Sequence, residues 1–224
     1  LFASSTEQVV EDIHNWNWWQ HKGHPRGQHL LSPCGDLAIV CIPKCSSSYW
    51  RTWLEQTDWT MNHHNEIAKH VHVLCCLRDP VDRWVAGISE YLYTYWDTDT
   101  SMKCEAIAKL VQDRVVFDDH TEVQQYFYSV FPHNSMSFFR HDDTHSVWNA
   151  IEKWTGTPVP PYKYLHNPIN FTEDPVNKNK KAWKNWILDN CDLNSIKSYY
   201  ENYDQETYRL LKQIDDRQSN QITI

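Results

Sequence analysis

The chain predicts an α/β domain with a mostly parallel central sheet flanked by helices. Three observations predict it. Short apolar runs rich in β-branched residues recur along the sequence, stretches with helical apolar stripes separate them, and two of the strand-to-helix turns carry a basic residue. Residues 1–36 are polar and rich in Trp and His (His14, His21, His24, His29) and read as an irregular N-terminal arm with one helix near its start. The run 37–42 (LAIVCI) has the length and β-branched content of a buried strand, and Pro43 ends it. From 46 to about 56 the pattern turns helical, with Trp50, Trp53 and Leu54 on one stripe. The run 71–77 (VHVLCCL) is apolar enough for a parallel strand covered on both faces.

Asp79 then suits an N-cap and Pro80 a first helical position. Trp84, Ile88, Tyr91, Leu92 and Tyr95 continue that helix as one stripe. Further helices are expected over 103–116 and 121–130. A third strand is expected over 137–140 (SFFR), then a helix over 145–155 that stops at Gly156. The five prolines between 157 and 176 mark a loop, and two helices, 180–189 and 195–214, close the chain. The domain organisation read from this is an arm, 1–36, and one domain, 37–224. In such sheets ligands bind beyond the carboxyl ends of the strands, which points to the turns 43–48 and 78–80.

Composition narrows the function. A formal net charge of −8 disfavours a general nucleic-acid binder, which needs basic surface. No apolar run is long enough for a membrane-spanning helix. Seven cysteines leave at least one unpaired, and Cys41, Cys75 and Cys76 fall inside strand runs where buried thiols are ordinary. No C-x-x-C pair occurs, and no carboxylate or cysteine spacing completes a metal site with the histidine pairs His63-His64 or His70 and His72, so no metal is expected. Asn170-Phe171-Thr172 is a glycosylation sequon that matters only in a secretory lumen. Cytoplasmic and Golgi-luminal settings are both compatible with the residues.

The segment Pro43-Lys44-Cys45-Ser46-Ser47-Ser48-Tyr49 joins strand to helix and can hold an anion. Backbone N–H groups at a helix start and the helix dipole attract negative charge, serine hydroxyls add donors, and Lys44 adds a mobile cation. An ordinary serine-capped helix is the plainer reading. The G-x-x-x-x-G-K-[ST] loop of ATPases and GTPases is not present. In the second turn, Leu77-Arg78-Asp79-Pro80-Val81-Asp82-Arg83-Trp84, an arginine at a strand end can fork two donors onto a phosphate. A surface arginine paired with Asp79 or Asp82 is the alternative.

Together these two segments resemble the donor-binding motifs of sulfotransferases that use 3′-phosphoadenosine 5′-phosphosulfate (PAPS), closest to the carbohydrate, Golgi-type branch. The resemblance implies a P-loop-like α/β fold. It implies that Lys44 contacts the phosphosulfate, that Cys45, Ser46, Ser47 and Ser48 line the phosphate loop, and that Tyr49 packs near the adenine. Arg78 would bind the 3′-phosphate. Where the family usually has Ser eight residues after that arginine, this chain has Ala86, with Ser89 a turn later and Arg83 between. Ser46 stands where the family often has Gly or Ala. Asp119-His120 with Gln124, Phe138-Phe139-Arg140 with Asp142, and Tyr199-Tyr200-Glu201-Asn202-Tyr203-Asp204 resemble later, weaker motifs of that branch. The resemblance spans about 37–214.

It implies transfer of a sulfuryl group to a hydroxyl or amine of a carbohydrate or small-molecule acceptor, with adenosine 3′,5′-bisphosphate (PAP) as product. A base must accept the acceptor's proton, and His63, His64, Glu66 and His70 lie between the two motifs. His63 and His64 are favoured, and His120 is a third option or an acceptor contact. Lys178, Lys180 and Lys181 form a basic cluster that reads as a solvated helix start or as a reach towards the 3′-phosphate. A nucleotide-dependent phosphotransferase and a non-catalytic module on the same fold are the alternatives.

Overall fold

A computed structural model describes residues 27–95, 111, 114–158 and 175–221. The chain divides into two units: Leu1–Pro25 with Val81–Glu122 and Phe171–Tyr203, and Arg26–Pro80 with Val123–Asn170 and Asp204–Ile224.

The second unit holds a five-stranded sheet in the order β3-β1-β2-β4-β5, made of β1 (Gln28–Leu31), β2 (Leu37–Val40), β3 (Thr60–His63), β4 (His72–Leu77) and β5 (Met136–Arg140). Its helices are α1 (Ser47–Leu54), α3 (Gln124–Tyr128), α4 (Thr144–Thr155) and α7 (Gln205–Gln221). The three strands read from apolar runs all form. They are the parallel part of the sheet, β2 beside β4 and β4 beside β5.

The expectation of a mostly parallel sheet is corrected: the sheet is mixed, because β1 pairs antiparallel with both β2 and β3. β1 lies inside the segment read as an irregular arm. It forms a hairpin with β2 whose turn is closed by Ser32 N–H on the Leu37 carbonyl (2.9 Å) and by Gly35 at φ 76°. β3 (TMNH) is a partly exposed edge strand. Such a strand carries no continuous apolar run, so the pattern that marked the central strands is missing from it.

Side chains alternate across β4, so Cys75 and Cys76 face opposite layers. On the Cys76 side, Trp50 of α1 meets Trp148 of α4 edge-on at 5.5 Å. On the Cys75 side, Tyr128 of α3 lies edge-on to Phe138 at 5.5 Å and reaches the Thr207 hydroxyl of α7 at 3.1 Å. Helices therefore cover both faces of the parallel strands. Burial pushes the thiols of Cys75 and Cys76 well up, and that of Cys41 up to about 12, so all three stay protonated and fill space as small apolar groups. The six described cysteines are free.

The first unit contains α2 from Val81 onward (Pro80–Tyr95), α5 (Pro175–Asn190) and α6 (Leu193–Tyr203). Trp84 donates its indole N–H to the Val115 carbonyl (2.8 Å), Tyr91 packs on Phe117, and Lys180 pairs with Glu90 at 2.7 Å. Gly87 is needed as glycine, since a Cβ there would sit 2.4 Å from the His120 carbonyl oxygen.

The expected helix 121–130 is shorter, Gln124–Tyr128. The expected 195–214 helix is two, α6 and α7, interrupted at Asp204. The N-terminal helix, most of the 103–116 helix, Cys104 and the Asn170 sequon lie outside the described residues. Among the described residues no helix is long and apolar enough to cross a membrane.

Candidate functional site

The carboxyl ends of β2, β4 and β5 lie at one end of the sheet, and the chain turns there three times. After β2, the turn 43–46 bends sharply, with Lys44 at φ 66° and Ser46 at φ 64°. Left-handed conformations at non-glycine residues cost energy and collect at ligand sites. Glycine would adopt the backbone conformation of Ser46 without strain. Serine holds it here by donating its hydroxyl to the His141 carbonyl at 2.6 Å.

With its hydroxyl turned away, Ser46 does not cap α1, and no acidic residue stands in that helix's first turn. The helix begins with Trp50 N–H on the Ser46 carbonyl. Its N-terminal turn thus presents Ser47, partly exposed, and Ser48, exposed, with no side-chain cap over the positive end of the dipole. Ser46→Gly is expected to keep stability within about 1 kcal/mol, since relief of strain offsets the lost hydrogen bond, whereas Ser46→Ala keeps the strain and loses about 1–2 kcal/mol. Urea denaturation of the two variants checks the order.

After β4 comes Arg78. Its guanidinium Nη1 lies 3.4 Å from the Lys44 carbonyl, and its Nε is buried without a hydrogen-bond acceptor. Its backbone is fixed by one side chain. Gln124 Oε1 accepts the Arg78 N–H at 3.0 Å, and Gln124 Nε2 donates to the Arg78 carbonyl at 2.7 Å. The same Oε1 accepts from Cys45 Sγ at 3.1 Å. Lys44, Cys45 and Arg78 are therefore brought together, and the residue that joins them is fully buried. After β5, His141 donates its N–H to the Leu77 carbonyl (2.8 Å), so the third turn is tied to both of the others. Arg140 pairs with Asp215 of α7 at 2.8 Å, and Asp142 is exposed; Asp143 is the residue that caps α4, accepting the Ser146 N–H.

Tyr49 points into the sheet's helical layer. Its hydroxyl accepts the Trp148 indole N–H at 2.9 Å, and its ring stands edge-on to Trp50. Burial raises its pKa, and the Trp148 bond offsets only part of that rise.

The candidate bases separate by topology. β3 runs parallel to β2 with β1 between them, and His63 pairs with Gln28, so His63 and His64 sit at the same sheet end as Lys44, two strand spacings or about 10 Å from β2. The Glu66 carboxylate accepts the His63 backbone N–H at 2.6 Å. His70 precedes β4 and so lies at the opposite sheet end, about 20 Å away by the length of that strand.

Three further candidates belong to the first unit. Arg83 is buried and donates to the carbonyls of Glu122 and, at 2.8 Å, Asp119, so its guanidinium braces that turn. The Ser89 hydroxyl, also buried, donates to the Val85 carbonyl one turn back. His120 Nδ1 lies 2.9 Å from Asp118 and 3.1 Å from Asp119. The ligand atoms of these three residues lie within 4.8 Å of one another, the one such metal-capable group among the described residues.

Burial works against a charge on His120, but its hydrogen bonds to the Asp118 and then the Asp119 carboxylate outweigh it and hold the imidazole above its ordinary value. A shift in that direction favours the charged imidazolium over the neutral base. By linkage, its contribution to stability is complete below the unfolded pKa, about 6.5, and is lost as pH rises through the higher folded value. The stability gap between wild type and His120→Ala is therefore expected to be widest in mildly acidic buffer and to narrow as pH rises. Denaturation curves across that range would show it.

Gln124 and Asp204 fall within the weaker motifs of the resemblance, and their residue types do not announce their geometry, because neither is a nucleophile or a cation. The signal available for both was a polar residue in a short motif placed where the helical pattern breaks. The chain matches no protein-family model, no curated protein and no solved structure.

Proposed function

We propose that the chain is a sulfotransferase that takes a sulfuryl group from PAPS and places it on a hydroxyl or amine of a carbohydrate or small-molecule acceptor. The observation that carries this reading is the approach of the two candidate phosphate loops. The Arg78 guanidinium lies 3.4 Å from the Lys44 carbonyl, beside the uncapped start of α1 and at the carboxyl end of parallel strands. Two cationic side chains on adjacent turns suit a ligand with two anionic groups on one small frame. Arg78 Nε, buried without an acceptor, gains one when a phosphate arrives.

In this reading Lys44 and the Ser47 and Ser48 donors hold the 5′-phosphosulfate, and Arg78 holds the 3′-phosphate. The acceptor oxygen attacks sulfur, the bond from sulfur to the bridging phosphate oxygen breaks, and Lys44 stabilises charge on the leaving oxygen. The acceptor's proton passes to a base at the same sheet end, His63 or His64. Arg83, Ser89 and Tyr49 act through structure, since their polar groups already meet protein partners.

The test is binding of adenosine 3′,5′-bisphosphate against ATP by calorimetry, followed by an acceptor screen with sulfur-labelled PAPS. Tight bisphosphate binding with label transfer is expected. ATP binding with phosphate transfer sinks the proposal in favour of a phosphotransferase. Bisphosphate binding without transfer to any acceptor reduces it to a non-catalytic module.

A further inference from the structure

We infer that Gln124 is a positioning residue of the donor site: its side-chain amide sets the distance and aim of the Lys44 and Arg78 turns without touching the ligand. This rests on the donor-binding reading above.

β4 ends at Leu77, whose register partner is Arg140, so the Arg78 peptide lies beyond the regular ladder. A strand neighbour would normally satisfy its N–H and C=O. Gln124 supplies both complements from one amide, accepting at 3.0 Å and donating at 2.7 Å, in the manner of an added strand residue. That double bond fixes the Arg78 backbone and hence the direction its side chain leaves it. The second lone pair of the same oxygen takes the Cys45 thiol at 3.1 Å, fixing the residue directly after Lys44.

One planar group thus spans the two loops. A spacing of phosphate-binding loops fixed to a fraction of an ångström is what a bisphosphate donor requires. The chemistry also restricts the residue. Glutamate could accept both donors but, ionised, has nothing to offer the Arg78 carbonyl and adds negative charge near an anion site. Asparagine is one methylene short, and alanine leaves three polar groups unmet.

The experiment compares the affinities of the full chain for adenosine 3′,5′-bisphosphate and adenosine 5′-monophosphate, in wild type, Arg78→Ala, Gln124→Ala and Gln124→Glu. Melting temperatures are recorded alongside. The wild type is expected to prefer the bisphosphate, and Arg78→Ala to lose the preference. Both Gln124 variants are expected to shrink it by about tenfold or more, as supporting residues do when first-contact groups lose their aim. A merely structural role would weaken both ligands equally and leave the ratio unchanged.

A folded Gln124 variant that keeps the wild-type ratio overturns the inference and leaves the donor reading standing. A wild type that shows no preference overturns the donor reading and this inference with it. Should both variants melt below the assay temperature, hydrogen exchange at the Arg78 amide of the wild type decides. Protection that rises with bisphosphate supports the clamp, and protection that does not rise overturns it.

Discussion

On the proposed sulfotransferase reading, Lys44→Ala is expected to lower sulfuryl-transfer turnover by about 100-fold or more, the usual loss when one preorganised donor to a developing charge is removed. The effect should fall on turnover more than on binding. On the proposed reading, the 5′-phosphate would keep the α1 N-terminal turn and the Ser47 and Ser48 donors in the ground state, and the lysine would meet the charge that grows on the leaving oxygen. Lys44 departs from a left-handed backbone position, held on one side by the Cys45 N–H on the Ile42 carbonyl and on the other by the Ser46 tether to His141. Its side chain therefore leaves a fixed base. The measurement is single-turnover transfer of labelled sulfate, with affinity for adenosine 3′,5′-bisphosphate measured separately. Turnover near the wild-type value would remove Lys44 from the chemistry, whatever the binding result.

The two central strands were legible from sequence through their nearly complete burial, whereas β5, half-buried throughout, was legible through its aromatic pair Phe138-Phe139. β2 and β4 are continuous apolar runs because helices cover both faces, and Pro80 marks the start of α2 because its missing N–H is harmless there. The strands that escaped notice are those only partly covered. β3 exposes Thr60 and leaves Met61, Asn62 and His63 half-buried, so its register comes from pairing with β1 and not from its own pattern. The turn Pro33-Cys34-Gly35-Asp36 between Leu31 and Leu37 was a hairpin signal, but four-residue strands are too short for alternation to stand out.

The candidate site divides the same way. Lys44 and Arg78 are visible as cations at strand ends because their residue type states their chemistry. Arg83 looks equivalent in sequence, yet it is 1% exposed with its donors on backbone carbonyls, a fate that local sequence does not encode. Gln124 and Asp204 are distant from the loops in the chain and act through backbone groups. No spacing rule announces such a role.

Asp204→Ala is expected to destabilise the protein by about 3–5 kcal/mol, a large share of the 5–15 kcal/mol that domains typically possess. The side chain is fully buried. One carboxylate oxygen accepts the Gln124 N–H at 3.0 Å; the other accepts the Gln125 N–H at 3.0 Å and the Thr207 hydroxyl at 2.7 Å. Its own carbonyl accepts the Thr207 N–H at the start of α7. A single residue therefore closes the amino ends of two helices, and it does so where the expected long C-terminal helix is interrupted.

Alanine leaves the buried Gln124 N–H and the part-buried Gln125 N–H without this acceptor and leaves the Thr207 hydroxyl only its Tyr128 partner, and each unmet buried group costs about 1–3 kcal/mol. Asparagine keeps one acceptor oxygen and should lose about half as much. The urea midpoint, with the slope unchanged, measures the loss; a fall below about 1 kcal/mol for Asp204→Ala would mean that water or rearrangement replaces the cap. Because the capped helix begins at Gln124, the damage should reach the candidate site. On the proposed reading, a folded Asp204→Asn protein is expected to bind adenosine 3′,5′-bisphosphate more weakly than wild type, although Asp204 bonds the Gln124 backbone and not the side-chain amide that holds Arg78. A double-mutant cycle between residues 124 and 204 should then show coupling in ligand affinity as well as in stability. Coupling in stability alone would confine Asp204 to the fold.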